Sequence, residues 1–264
     1  MNTAPRFSIL DPAAALKGDS SRMRQIMEAG TDGGSICFFD PAALPGDFDQ
    51  QMSVSPGAAY DDLVTNGRFW WGGDGDGGYI VHFYVDEKLP EEIARFGKEH
   101  DSADRFAIPS GTIWCCGVEY AARDPLIGYE TAPTGGLRRF PHMGGKFQIA
   151  PGGYSLKVLE MVWPKGYVPA QVRARVGSGA YRLAAALDIL CVVLLVGGTL
   201  ALIGLLFSLT RDWRAWASAA GAVGLGLLIA NQLAKLPALR ARKDIAQQYP
   251  EFAVELHRLG PLPS

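Results

Sequence analysis

Histidine and cysteine are scarce, four of each in 264 residues, and their placement excludes the commonest site chemistries. His82, His100, His142 and His257 are scattered, with no HExxH, no GxSxG nucleophile turn, no glycine-rich dinucleotide turn and no carboxylate pair on a recognisable scaffold. Cys37, Cys115, Cys116 and Cys191 form no CxxC and no disulfide framework. Cys115 and Cys116 are adjacent, and consecutive side chains on a strand point to opposite faces, so they cannot share a ligand from one strand. Reduced, packed thiols are the expectation, with no metal and no cofactor.

A surplus of positive charge is also missing. The chain has 25 lysines and arginines against 27 acids. Residues 1–180 carry 17 basic and 22 acidic side chains, and the remainder carries 8 and 5. An acidic body lacks the concentrated basic stripe that nucleic acid requires, so no nucleic-acid partner is expected. Asp47, Asp49, Asp61, Asp62 and the acids between Asp86 and Asp104 instead suit a basic protein partner, because complementary charge speeds encounter. The opening MNTAPRFSILDPAAALKGD has neither a basic start nor a sustained apolar region, so no secretory signal is expected.

Two long apolar runs lie between Leu183 and Leu233, about 184–209 and 215–233, parted by Thr210-Arg211-Asp212-Trp213-Arg214. Each is long enough at about 1.5 Å per helical residue to cross a hydrocarbon core of about 30 Å. The expectation is a two-helix transmembrane hairpin with the lipid bilayer as a partner. Basic residues on both outer flanks place both termini in the cytoplasm and the chain at the inner membrane as a multi-pass protein. Asp188 and Asn231 are its intramembrane polar groups, level with each other near one interface. Gly197, Ala201 and Gly204 on the first helix and Ser218, Ala222 and Gly226 on the second recur at helical spacing, forming small-residue faces for packing within the hairpin or between copies, a homo-oligomer.

The fold class expected is α+β and rich in β: a cytoplasmic domain over 1–165, a linker over 166–182, the hairpin over 183–233, and a basic tail over 234–264. Within the domain, RMRQIMEAG predicts a short helix and Ser35–Phe39 a strand. GRFWW and YIVHFYV, joined by GGDGDGG, predict a β-hairpin whose second strand is apolar on both faces and therefore central. A helix is predicted over Asp86–His100, an edge segment at Phe106–Ile108, a strand over Thr112–Ala121, and a second hairpin from Lys146–Ile149 and Tyr154–Trp163. Alternation in YPEFAVELHRL predicts a tail strand able to join the amino-terminal sheet.

The GGDGDGG loop is the most prominent polar feature. Its Asp74 and Asp76 have the spacing of a calcium loop's first ligands, yet Gly78 and Val85 stand where further oxygen ligands belong. With Trp70 and Trp71 beside it, the loop reads as a recognition element. The function expected is a membrane-anchored binding or regulatory protein that recognises a protein partner, with a toxin-neutralising protein as one instance. The alternatives are a hydrolase or transferase built from His142, Asp74 or Asp76, and Glu119, and a subunit of an oligomeric channel or transporter.

Overall fold

Residues 22–128, 135–208, 213–233 and 237–262 are described by a computed structural model. The fold is mixed α+β and divides into two units, one comprising residues 1–162 and 250–264 and the other Trp163–Tyr249.

Unit 1 is built from two sheets. β1 (Met23–Thr31), β4 (Gly77–Val85), β9 (Phe252–Gly260), β8 (Gly152–Met161) and β5 (Gly97–Ile108) lie in that order in the first. β3 (Phe69–Gly72), β2 (Ile36–Phe39), β6 (Thr112–Gly117) and β7 (Gly144–Gln148) form the second. One core mixes residues of both sheets: Val81, Phe83 and Val85 from β4 and Phe252, Val254 and Leu256 from β9 share it with Phe38, Trp70, Ile113 and Phe147. Phe38 stacks on Trp70 at 4.7 Å and meets Phe83 edge-on at 5.3 Å, the offset geometries that ring quadrupoles favour. The other face of the second sheet carries Cys37, Phe39, Phe69, Trp114 and Cys116. There they pack with Phe48 and Met52 of α1 (Phe48–Val54) and Leu63 of α2 (Pro56–Thr65).

Several predicted elements change character for one physical reason, that strands are chosen by their partners. Met23, Met27 and Ala29 fit the period of a strand as well as that of a helix, and they form β1 because β4 needs a neighbour, with Met27 opposite Val81. The helix predicted over Asp86–His100 shrinks to α3 (Glu91–Phe96), and β5 begins at Gly97. Neither predicted hairpin exists. β3 pairs with β2 and β4 with β1 and β9, so the glycine-rich segment carries the chain from one sheet to the other. β7 and β8 part in the same way. The tail strand β9 lies parallel to β4 and antiparallel to β8.

Unit 2 is helical: α4 (Tyr167–Val176), α5 (Ser178–Ser208), α6 (Trp213–Leu233) and α7 (Pro237–Ala246). Here the transmembrane hairpin, and with it the multi-pass inner-membrane placement, is corrected: among the described residues no helix is long and apolar enough to cross a membrane. The two apolar runs do form helices. However, α5 opens on the polar stretch Ser178–Arg182, α6 is diluted by Arg214, Ser218, Gly221, Gly224 and Gln232, and residues 209–212 and 234–236 lie outside the described residues. The side chains of Asp188, Ala222 and Asn231 also lie outside them.

On α5 the close contact with α6 is made one position from the small-residue face that spacing suggested. A Cβ at Gly198 would stand 2.6 Å from Val223 Cγ2, whereas one at Gly197 or Gly204 meets nothing within 4 Å. Gly198, Ala184, Ala219 and Gly226 are buried, and Gly197, Ala201, Gly204 and Ser218 are exposed. At the other end of the unit, Trp163 stacks on Tyr167 at 5.8 Å and Tyr249 meets Trp163 edge-on at 5.4 Å, with the Arg175 guanidinium over the Tyr249 ring. This aromatic cluster joins the two ends of the unit.

Candidate functional site

Where β1 and β4 end, the register places Gly30 opposite Gly78 and Thr31 opposite Gly77. Three of these four residues have no side chain, so the end of the ladder is bare backbone, and a cavity of about 370 Å³ opens over it. Tyr79 and Ile80 line it from β4, Glu28, Thr31 and Asp32 from β1 and the turn after it, and His142 and Met143 from a single 3₁₀ turn, Pro141–Met143. Met143 packs against Gly30, with its sulfur 2.7 Å from where a Cβ on Gly30 would stand, so a side chain there would collide with it.

The rim is held by a partly exposed hydrogen-bond network. Thr31 donates from its hydroxyl to Glu119 Oε2 at 2.9 Å, and the Asp32 N–H donates to Glu119 Oε1 at 2.7 Å. The Gly33 N–H donates to the Thr31 hydroxyl at 2.9 Å. Glu119 lies in the 3₁₀ turn Val118–Tyr120 that follows β6 and reaches the rim past Gly117. A Cβ at Gly117 would fall 2.6 Å from the Glu119 carboxylate and 2.7 Å from the Gly30 carbonyl oxygen. The carboxylate thus organises the rim from behind, where a charge-assisted bond is stronger than a neutral one. Its field reaches further: burial, and then the charges of Glu119 and Asp32, push the Tyr120 hydroxyl above its ordinary range.

Tyr79 also fixes the neighbouring loop. Its hydroxyl donates to the Gly75 carbonyl oxygen at 2.8 Å and accepts from the Gly75 N–H at 3.1 Å, so the loop tip is tied to the cavity wall. Asp74 and Asp76 are both exposed on that tip. Trp71 is 45% exposed, whereas Trp70 is 1% exposed and belongs to the core. Of the residues singled out for hydrolysis, His142 lines the cavity and Glu119 braces its rim; Asp74 and Asp76 do not line it. Among the described residues no group of three or more His, Cys, Asp or Glu side chains is placed to hold a metal ion. Cys37 and Cys116 face each other with sulfurs 3.9 Å apart, and burial pushes the Cys37 and Cys115 thiols well up.

Sequence reasoning missed Glu28, Thr31, Asp32 and Tyr79 as a group. Their local signal is a glycine in each of two strands that meet only in space, and nothing in the chain's order announces that pairing.

The chain matches no known protein family and no curated protein. A solved structure described as "Crocagin biosynthetic gene J" is similar at a TM-score of 0.33 and 16% identity, covering 53% of this chain and 77% of that one. A likeness at that level carries no argument about what this chain does.

Proposed function

We propose that unit 1 is a recognition module for a basic protein partner, and that its glycine-floored cavity takes a lysine or arginine side chain of that partner. The observation that supports this most is the cavity itself: bare backbone below, an aromatic ring in the wall, and the carboxylates of Glu28 and Asp32 at the mouth. A cation entering there meets opposite charge at the rim and the Tyr79 ring within, the combination that aromatic and acidic groups offer to ammonium and guanidinium. Asp74 and Asp76 on the tied loop extend the negative surface, and Trp71 adds an exposed ring of the kind that anchors interfaces. Unit 1 as a whole carries fifteen lysines and arginines against twenty-four acids, which favours approach of a basic partner from a distance.

The test is titration of the full chain with hexapeptides that differ only in a central lysine, arginine, glutamate or leucine. The lysine and arginine peptides bind at least about tenfold more tightly than the other two, and the difference shrinks as salt screens the rim. Glu28→Lys with Asp32→Lys abolishes the preference while leaving the circular dichroism unchanged. Equal binding of the glutamate or leucine peptide would sink the proposal.

A further inference from the structure

The outward face of α5 is a second exposed surface. Ile189, Val192, Val193, Val196, Leu200 and Ile203 are exposed by 42–65%. Ile189, Val196 and Ile203 are seven residues apart, with Val192, Val193 and Leu200 between them, the spacing of a seam that meets another helix. At about 100° per residue these six fall within an arc of about 100°, directly opposite Gly198, which packs on Val223 of α6. Hence α6 cannot cover them. These exposures amount to an area on the order of 600 Å², at the upper limit for the largest apolar patch of a monomer and approaching the roughly 800 Å² that each partner contributes to a standard interface.

Beside this ridge runs a groove. Gly197, Ala201 and Gly204 are exposed, and a Cβ on either glycine would meet nothing within 4 Å. The glycines are therefore not required by packing within the chain. Ridge and groove lie side by side on one face, so two copies related by a twofold axis can each set the ridge of one into the groove of the other. A self-complementary patch of this kind defines an isologous contact.

We infer that the α5 face is the interface of a homodimer, with Val196 and Leu200 near its centre and the Gly197–Ala201–Gly204 groove receiving the partner's ridge. The test uses the full chain. Val196→Cys gives a reducible dimer on mild oxidation in high yield, whereas Leu228→Cys, exposed on α6, does not. Light scattering gives twice the chain mass, and Leu200→Arg returns it to one chain mass with helix content unchanged. If the unsubstituted chain has the mass of one copy at tens of micromolar, the inference is wrong. It is equally wrong if Val196→Cys and Leu228→Cys cross-link alike, or if α5 becomes protected only on phospholipid vesicles, which would assign the face to lipid.

Discussion

Single residues decide how unit 1 responds to its surroundings. Asp40 is fully buried and accepts three hydrogen bonds, from the Ala42 N–H at 2.9 Å and from the Ser110 N–H and hydroxyl at 2.7 Å each, pinning the end of β2 to the turn between β5 and β6. Glu251 is a different case. Its Oε2 accepts from the Ile80 N–H at 2.6 Å, yet desolvation outweighs that bond and raises the carboxyl above its ordinary value. Below the ordinary carboxylate range both folded and unfolded chains are protonated there, so the residue contributes no pH dependence. As pH rises, the unfolded chain ionises first, and stability falls until the folded-state value is passed. Glu251→Gln keeps an acceptor for Ile80 and removes the charge. The expected outcome is a variant more stable than the parent at pH 7 and equal to it at pH 4, read from urea midpoints; parallel pH profiles would contradict it.

At the scale of elements, legibility followed local content. β4 could be read as central because both of its faces are apolar, and its place between β1 and β9 accords with that. Of β5 only the edge segment Phe106–Ile108 could: Lys98, Glu99, His100, Ser102, Asp104 and Arg105 are exposed along the rest of this edge strand, where charge deters stray pairing and resembles the polar face of a helix. The hairpins failed because turn chemistry specifies a reversal but not which sheet the next strand enters. In the candidate site, His142 and Glu119 could be named from the chain, whereas the cavity that relates them depends on the register of Gly30 with Gly78. On α5 the helix contact falls one residue away, since small residues occur at both Gly197 and Gly198 and only packing distinguishes them, whereas on α6 Gly226 is buried. Gly198→Ala forces α5 away from Val223 and lowers the thermal midpoint of helix loss. Gly221→Ala, where a Cβ meets nothing within 4 Å, raises helix stability by about 0.5–1 kcal/mol. Equal effects of the two, followed by circular dichroism at 222 nm, would show that the close approach at Gly198 has no energetic weight.

The whole molecule is one domain interrupted by another. Charge divides along the same boundary, with ten lysines and arginines against three acids in unit 2, opposite in sign to unit 1. β8 leads into unit 2 and β9 leads out, and these strands are neighbours: Glu160 pairs with Phe252, and the Met161 N–H donates to the Glu251 carbonyl oxygen at 2.9 Å. The entry and exit of the insert are therefore already joined by the sheet. Replacing 163–249 by a short glycine-serine linker is expected to leave unit 1 folded, because closing so small a gap costs little loop entropy. Truncation after residue 249 removes the strand that bridges β4 to β8 and is expected to leave unit 1 open to limited proteolysis. The reverse pattern would mean that unit 2, rather than β9, holds unit 1 together.

β9 also sets an order of events during synthesis. A ribosome releases β1 through β8 and then all of unit 2 before the strand that belongs between β4 and β8 exists. Until then the facing edges of β4 and β8 lack the strand that pairs with both. The nascent chain is accordingly expected to keep those strand edges unpaired until Phe252–Gly260 slots into place.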